Sequence, residues 1–519
     1  MRKSGSKTAP DRTGRSPGRF AVAAVVAAVT VVLALTGCSA AKGSHKNGDT
    51  TLVIGQTQDV TDFNPYSLKI YSYNLNNQLY NVPVRYDQNL KPQPELASSW
   101  EQGADGKSLT LHLRDDVMFH NGDHMTSADI AFSIKYAANP DNAANIAPLA
   151  KQVVSVDTPD PKTAVLHYEK PNPAPFDLLD LLYISDHAHP DTVATDANGT
   201  GPFTMEKFQA GQQVTLASNK KYWRTPPALS KVEVKVLPDA QTSLVQLTSG
   251  SIDMIARLAP QDYSTLTGNA KVQTGLAAQG QSFISFDINT SVAPLSNPKV
   301  RQALSLALDR SRIASEVVGK GSVPGCLPYP KTSLAYDATQ AASCKFDLAA
   351  AKDMLRQAGV SNLTLTIQTS SAESPALTQA SQIFQADLKK IGVTAKVTDL
   401  DDTTYVKNRQ SSDFQVEAHL YGRAGKDPSS LFGTANSWQP AKNAQKFKSA
   451  EYTKWVGVAG SSLDPATRKM AYLEVNKIIL AQNFVLVAAQ NQVPWAAAKG
   501  LKDFQFSGDG LLILEHAHW

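Results

Sequence analysis

The side chains with the clearest capacity for chemistry are histidines two positions apart, in the pairs His187/His189 and His516/His518. On a strand, residues at this spacing share a face and could bind a metal ion together. Each pair lacks a third ligand nearby in the sequence, and a protein metal site needs at least three. The spacing therefore predicts solvated or capping histidines and no metal site.

Motifs for nucleophilic, metallopeptidase or nucleotide chemistry are absent from the sequence. There is no G-x-S-x-G, H-E-x-x-H, G-x-x-x-x-G-K-[ST] or G-x-G-x-x-G pattern. Residues 422–427 have neither the spacing nor the Ser/Thr of a phosphate-binding loop. We therefore expect that the chain is not an enzyme and binds no cofactor. If its function uses the energy of a nucleotide, a separate protein would have to supply that energy. A secreted hydrolase, such as a peptidase, is the less favoured alternative, and hydrolysis of a peptide or ester would support it.

Length and charge narrow the class of protein. A chain of 519 residues exceeds what one hydrophobic core usually supports, so at least two lobes are expected. The formal charge of +4 comes from the N-terminus, because the net charge without residues 1–37 is −1. A near-neutral chain has no electrostatic basis for binding nucleic acid.

The N-terminus has the pattern of a targeting segment. Basic residues precede an apolar run over 20–35, which is short for a membrane span and typical of a signal peptide, although a permanent anchor helix is the alternative. Leu35-Thr36-Gly37-Cys38 resembles the lipobox of bacterial lipoproteins, in which the cysteine is diacylated and becomes the N-terminus. We expect a signal peptide over 1–37, a lipid on Cys38, and a flexible tether over 38–50.

The remaining cysteines, Cys326 and Cys344, lie 18 positions apart in a proline-rich loop. An even pair in an outward-facing protein suggests one disulfide, because that compartment is oxidising. Two free buried thiols are the alternative. We favour the disulfide because the segment between them shows no regular period.

The stretch from Leu79 to Ala137 is the most distinctive part of the chain. A proline-rich segment predicts a short helix that ends near Trp100, and the alternation over 108–114 predicts a half-buried strand. Thr126 and Asp129 have capping-box spacing at the start of a helix. Further along, Asn297-Pro298 begins a predicted helix over 300–318 with a clear apolar stripe.

Three segments of the sequence resemble one family. They read LASSW with GKSLTLHLRDDVMFHNGDHMTSADIAFS (96–133), GTGPF (199–203) and NPKVRQALSLALDR (297–310). They are similar to the bacterial extracellular solute-binding proteins that include the oligopeptide-, dipeptide- and nickel-binding proteins. The resemblance implies an α/β, two-lobed periplasmic-binding-protein-like fold of type II, in the large class with an extra subdomain. It also implies a monomer that works with the permease and ATPase subunits of an ABC importer at the outer face of the cell membrane.

This fold predicts a domain plan with a hinge. Lobe I is expected over 51–288, with the signature-bearing subdomain at about 82–198, and lobe II over 289–488. Residues 489–519 would return to lobe I. Helix–Gly–strand order occurs twice after Asp347, as in βαβ units on a parallel sheet. Such crossings make a hinge, and a ligand site lies between the lobes at strand ends.

The resemblance also implies which residues meet the ligand. Aromatic residues can line or merely plug a pocket, and in peptide-binding relatives an aromatic residue and then an aspartate follow the strand matching 414–420. Anchored on Asp427-Pro428, Tyr421 falls on the aromatic position and Ala424 on the aspartate. The predicted ligand-binding residues are Asn64, Tyr71, Tyr73, Arg409, His419, Tyr421, Arg423, Asp427 and Trp438.

The missing aspartate bears on the ligand. A buried peptide ammonium without a partner is costly, while Arg423 and Lys426 add positive charge to the same loop. The sequence therefore favours a peptide-like ligand that is N-blocked or acidic, unless the alignment slips and Asp427 takes the role of Ala424. A solute sensor, or a binder of a metal chelate or oligosaccharide on the same fold, remains the alternative.

Overall fold

The computed structural model describes residues 50–60, 63–66, 70–142, 144–319, 321–422 and 426–519, with the backbone alone described at 70–73 and 278–281. The signal peptide, Cys38 and Arg423 therefore lie outside the described residues. Among the helices of the described part, none is long and apolar enough to cross a membrane.

Strands make up three sheets and one separate hairpin. In chain order they are β1 (Thr51–Gln56), β2 (Val84–Tyr86), β3 (Pro92–Pro94), β4 (Ala97–Gln102), β5 (Ser108–Leu113), β6 (Val153–Asp160), β7 (Thr163–Tyr168), β8 (Phe203–Gln209), β9 (Gln213–Ser218), β10 (Lys231–Val236), β11 (Met254–Ile255), β12 (Val272–Ile288), β13 (Val323–Pro324), β14 (Thr364–Thr369), β15 (Thr394–Asp399), β16 (Val416–Gly422), β17 (Val485–Ala498), β18 (Gln505–Phe506) and β19 (Leu512–Ile513).

Helices cover the sheets and connect them. In chain order they are α1 (Ile70–Leu79), α2 (Ser127–Ala138), α3 (Ala147–Ala150), α4 (Phe176–Leu179), α5 (Ala240–Ser249), α6 (Pro260–Leu266), α7 (Pro298–Leu306), α8 (Arg310–Ile313), α9 (Ala338–Ala341), α10 (Leu348–Gln357), α11 (Pro375–Lys390), α12 (Asp402–Ser411), α13 (Pro428–Thr434), α14 (Ala450–Ser461) and α15 (Pro465–Gln482). Short 3-10 turns at Pro140–Asn142 and Pro190–Thr192 and a π-helical turn at Ala314–Val318 complete the set.

The largest sheet has the order β15-β14-β16-β12-β17-β11-β1-β10-β9-β8 and runs through two lobes. We call the half with β1 and β8–β11 lobe I and the half with β14–β16 lobe II. The long strands β12 and β17 belong to both halves, because β12 pairs with β16 over 282–288 while β17 pairs with β11 over 496–497. Their shared register shifts between Ala277 and Ser282. The α/β, two-lobed fold of the prediction is thus confirmed.

A separate four-stranded sheet, ordered β4-β5-β7-β6, forms the subdomain that carries the signature stretch. Here one expectation is wrong, because Trp100 lies in β4 and not in a helix. Trp100 pairs across the strands with Leu111 of β5, and its ring packs on Phe176 at 5.1 Å between ring centroids. The segment around Trp100 has no strong hydrophobic period of its own. Its pairing with β5, whose apolar and polar residues alternate, therefore decides that it forms a strand.

The helix expected over 300–318 is broken into α7, α8 and a π-helical turn. Asp309 is the N-cap of α8 and accepts a hydrogen bond from the backbone N–H of Arg312. The buried guanidinium of Arg310 donates to the carbonyls of Ser305, at 3.0 Å, and Val487, at 2.8 Å. The hydrogen bond to the end of α7 satisfies a carbonyl that has no partner within the helix once the helix is interrupted. The apolar stripe in the sequence does not reveal this interruption.

Lobe II has the βαβ connections that the sequence predicts. β14 pairs in parallel with both β15 and β16, and α11 connects β14 to β15. The apolar face of α11 joins the main hydrophobic core of lobe II through Leu377, Phe384 and Leu388, all of which are fully buried. This packing fixes the start of α11 close to the hinge strands, where the candidate site lies.

Candidate functional site

A cavity of about 300 Å³ lies where the two lobes meet. Lobe I contributes the end of β1 at Gln56 and Thr57, and lobe II contributes the start of α11 at Ser374–Ala376. Residues 491–494 of the hinge strand β17 form part of its wall. Its volume falls within the usual range for small-molecule pockets, and the carboxyl end of a sheet strand is the expected place for one.

Side-chain amides dominate the polar lining of this cavity. They belong to Gln56, Asn74, Gln78, Gln261, Gln379, Asn491 and Gln492. The side-chain oxygen of Asn491 is buried and accepts no hydrogen bond within the described residues. Because buried polar atoms are nearly always satisfied, this oxygen calls for a donor from water or a bound molecule.

Two charged residues also line the cavity, Arg257 and Asp262. Burial raises the pKa of the Asp262 carboxyl above its ordinary value. At the start of α11, the N-cap Ser374 makes no side-chain bond to the first turn. The positive end of that helix therefore faces the cavity without a protein cap, an environment that favours partial negative charge.

Three residues predicted to bind a ligand meet in lobe II, beside this cavity rather than in its wall. Arg409 from α12 contacts the Nε2 atom of His419, and the ring of His419 lies 4.0 Å from that of Tyr421. Both strand residues surround the buried carboxylate of Asp287, which accepts a hydrogen bond from the Tyr421 hydroxyl at 2.9 Å and another from Ser437 at 2.5 Å.

The charge of Arg409 is balanced within this cluster. Its Nε atom lies 3.0 Å from the Glu417 carboxylate, and its Nη2 atom lies 3.6 Å from that of Glu373. Burial raises the pKa of Glu417 to about 8, against the opposing effect of Arg409. Burial, and then the positive charge of Arg409, lowers the pKa of His419. Arg409 Nε, Glu417 Oε1 and His419 Nδ1 are buried and make no hydrogen bond within the described residues. Direct contact of Arg409 and His419 with a ligand stays a prediction.

The aromatic residues Tyr421 and Trp438 are part of a hydrophobic core. Tyr421 is 6% exposed and stacks on Phe283, with 5.1 Å between ring centroids, and Trp438 is 0% exposed. Both belong to a cluster of aromatic rings packed between β12, β16 and α15. In this conformation the two rings support the floor of lobe II. Contact of Tyr421 and Trp438 with a ligand stays a prediction.

A buried cation connects the two lobes. The Nζ atom of Lys426, in the loop after β16, lies 2.6 Å from Asp180 of the subdomain and 3.1 Å from Asp509 near the C-terminus. The Lys426 side chain is 3% exposed. Burial acts to lower its pKa, but Asp180 and then Asp509 outweigh that effect and raise it. The positive charge that Lys426 was expected to offer a ligand is therefore already neutralised.

Asp427 extends the same contact between the lobes. Its backbone N–H donates to Asp177, and the Ser430 hydroxyl also donates to Asp177. The Asp427 carboxylate caps α13 and lies 2.5 Å from Arg468. Burial, and then the nearby Asp427 carboxylate, raises the pKa of Asp177 to about 7. The structure thus gives Asp427 a capping and ion-pairing role rather than a free carboxylate for a ligand amine.

Of the remaining predicted site residues, Asn64 is not among the described residues that line the cavity. Asn64 accepts a hydrogen bond from the backbone N–H of Tyr66 at 3.0 Å, which makes it a turn residue. Tyr71 and Tyr73 lie on α1, whose later residues Asn74 and Gln78 do line the cavity. Ligand contacts of Asn64 and the two tyrosines stay predictions, as does any role of the undescribed Arg423.

Cys326 and Cys344 form a disulfide with 5.9 Å between their Cα atoms. It joins the loop after β13 to the segment after α9. Nearby, Leu327 and Tyr329 are buried in the aromatic core of lobe II, so the bridge closes a loop that also packs against that core. This is the pair that the sequence predicts to be bridged.

The prediction that His187 and His189 lack a third ligand is wrong for this structure. His189 lies beside Asp123 and Asp186, and His187 beside Asp129 and Asp186. Asp123 and Asp129 come from a turn and a helix far away in sequence, so spacing along the chain could not reveal them, whereas Asp186 directly precedes His187. His516 and His518 belong to no such cluster among the described residues.

Comparison with known proteins identifies the family. Residues 91–443 match the family described as "Bacterial extracellular solute-binding proteins, family 5 Middle". Heme-binding protein A of Haemophilus influenzae is 26% identical, with 91% of this chain and 92% of that protein covered.

Two solved structures share the fold. The dipeptide-binding protein from Pseudoalteromonas sp. SM9913, in complex with Met-Leu, has a TM-score of 0.79 at 20% identity, covering 90% of this chain and 99% of that one. NikZ from Campylobacter jejuni, in complex with Ni(L-His), has a TM-score of 0.77 at 20% identity, covering 91% and 100%.

The family matches a stretch that spans both lobes and the subdomain, and the fold agrees over nearly the whole described chain. A hinged pair of lobes with a cavity at their junction is the architecture of a protein that captures a solute by closing around it. The chain therefore belongs to the bacterial extracellular solute-binding proteins of family 5 and is a substrate-binding protein.

Proposed function

We propose that this chain is the capture subunit of an ABC importer, held at the outer face of the cell membrane by lipid on Cys38. The lipobox-like Leu35–Cys38 supports the anchor, because two acyl chains give stable attachment where one does not. Membership of the extracellular solute-binding family supports the partnership with permease and ATPase subunits.

The observation that carries the proposal is the cavity at the hinge. It is lined by lobe I, by lobe II and by the connecting strand β17. A molecule inside it therefore contacts both lobes and the strand that joins them. A solute shifts the equilibrium to the closed form only if it binds that form better than the open one. Contacts made to Gln56 on one side and Gln379 on the other provide that difference.

The amide-rich lining favours a peptide-like solute. Asn and Gln side chains each offer both a donor and an acceptor, as a peptide bond does. The ligand is N-blocked or acidic, because Ala424 stands where peptide-binding relatives have an aspartate and the nearby Asp427 is engaged by Arg468. The uncapped start of α11 suits a partial negative charge on the solute.

Calorimetry with the delipidated protein tests the site and the ligand class together. The probes are two matched peptide libraries, one with free amines and one N-acetylated. Asn491→Leu removes the unsatisfied amide from the cavity, whereas Gln439→Leu removes an amide outside it that bonds Gly433. We expect acetylated peptides to bind, Asn491→Leu to weaken binding at least tenfold, and Gln439→Leu to leave it unchanged.

Two results would contradict the proposal. Unchanged affinity in Asn491→Leu would place the ligand elsewhere. Tight binding of free-amine peptides that disappears in Asp262→Asn would show that the ligand amine is recognised after all. A non-peptide ligand is the second candidate, favoured by the heme-binding relative that covers 91% of this chain. Mass spectrometry of molecules that co-purify with the protein distinguishes the two.

A further inference from the structure

A cluster of metal-ligating side chains lies on the signature-bearing subdomain, outside the cavity. Asp123 belongs to the turn that precedes α2, while Asp186 and His189 belong to the loop after α4. Ligand atoms of these three residues all lie within 4.8 Å of one another. The two segments are far apart in sequence, and the fold of the subdomain brings them together.

Distances within the cluster suit a tetrahedral ion. The Nε2 atom of His189 lies 3.3 Å from the Asp123 carboxylate and 3.8 Å from that of Asp186. A zinc ion with bonds of about 2.0–2.2 Å holds neighbouring tetrahedral ligands roughly 3.3–3.6 Å apart. Imidazole with carboxylates is a donor set that Zn²⁺ accepts, whereas Ca²⁺ and Mg²⁺ prefer oxygen alone.

Charge supports the same conclusion. Asp186 is 5% exposed, and its carboxylate accepts hydrogen bonds from the amides of Asn121, at 3.0 Å, and Asn198, at 3.2 Å. Neither Asp123 nor Asp186 forms an ion pair with a lysine or arginine of the described chain; His189 lies beside both carboxylates, and His187 also lies close to Asp186. Two carboxylates beside one imidazole leave a net negative charge that a divalent cation would balance.

The neighbouring group, Asp129 with His187, does not form an equivalent site. Asp129 is fully buried and caps α2, with one carboxylate oxygen accepting from the Thr126 N–H at 2.6 Å. Its other oxygen accepts the backbone N–H of His187 at 2.9 Å. Through these bonds Asp129 holds the loop after α4 in place. That loop in turn positions His189 and Asp186 close to Asp123.

We propose that Asp123, Asp186 and His189 bind a divalent transition-metal ion, Zn²⁺ fitting best. The ion displaces the Asn121 amide from between the two carboxylates and completes its coordination with water. It ties the turn before α2 to the loop after α4. This site is independent of the solute cavity and of the importer function.

The test measures Zn²⁺ binding by calorimetry and by the shift in Tm, using the untagged full chain in detergent after chelator treatment. Asp123→Asn and His189→Gln are the test variants, because both side chains are about half exposed and their replacement leaves the core intact. His167→Gln is the matched control, since His167 pairs with a single carboxylate, Asp157, at 2.9 Å.

We expect one site per chain whose Zn²⁺ affinity falls at least tenfold in both test variants and stays unchanged in His167→Gln. The rise in Tm with Zn²⁺ should disappear in the same two variants. Absence of Zn²⁺ binding by the wild type, or binding unchanged in Asp123→Asn and His189→Gln, would overturn the proposal. Preference for Ca²⁺ or Mg²⁺ would overturn the assignment of the metal class.

Discussion

Lys426 offers the sharpest prediction about how the lobes stay together. Its ammonium lies between Asp180 and Asp509, and the three side chains are 3%, 3% and 9% exposed. Lys426→Met leaves two buried carboxylates without their cation in the closed form, whereas opening would return them to water. Removing one partner of a buried pair typically costs about 3–5 kcal/mol.

Most of that cost falls on the closed form, so the closed-to-open ratio changes accordingly. A loss of about 3 kcal/mol lowers this ratio by roughly 100-fold, because 1.4 kcal/mol corresponds to a factor of ten. The apparent affinity for a solute that binds the closed form should fall by up to the same factor.

Small-angle X-ray scattering of the protein with the N-acetylated peptide library measures the change, because open lobes have a larger radius of gyration. Lys162→Met is the control, since Lys162 has the same 2.6 Å separation from Asp115 but both side chains are exposed. We expect an open scattering curve for Lys426→Met and a wild-type curve for Lys162→Met. Identical curves for wild type and Lys426→Met would refute the reasoning that this buried pair holds the lobes closed.

The closed-to-open ratio measured by scattering should also depend on pH, in a direction that the structure defines. Asp177 has a raised pKa of about 7, against an ordinary 3.8, and it faces Tyr86, Lys426, Asp427 and Ser430. If opening restores the ordinary value, closure takes up a proton between these two pKa values, and the closed form weakens as pH rises from about 4 to 7. Asp177→Asn should remove this dependence, and a closed fraction that instead grows with pH would contradict the assignment.

Three further changes have defined outcomes. Tyr421→Ala should destabilise the protein by about 3–5 kcal/mol in denaturant unfolding, because the ring is buried, whereas Tyr421→Phe should lose only about 1 kcal/mol with its bond to Asp287; equal losses would contradict the packing. Closing the 18-residue loop between Cys326 and Cys344 should contribute about 3 kcal/mol, and two thiols titrated in the denatured, unreduced protein would show the bridge to be absent. Cys38→Ala should abolish labelling by a palmitate analogue, and undiminished labelling would exclude lipid at this residue.

The sequence alone determined the family, the α/β class and many of the elements. Strand β5 and helices α11 and α15 follow from local alternation, caps and flanking glycine or proline, all of which act over a few residues. The pairing of Cys326 with Cys344 was accessible as well, because only two cysteines remain after Cys38 in the predicted lipobox. Local signals of this kind survive in any context that buries the same face.

Only the tertiary structure decided which charges are free. In the sequence Lys426 counts as positive charge near a ligand, yet Asp180 and Asp509 neutralise it from segments more than 80 residues away. Tyr421 was expected to offer a stacking face, but β12 and α15 bury it. Burial and ion pairing depend on which distant segments come into contact. The residue pattern of one segment does not show which segments those are. For the same physical reason, His189 acquires the distant Asp123 as a neighbour, beside the local Asp186, only in the folded chain.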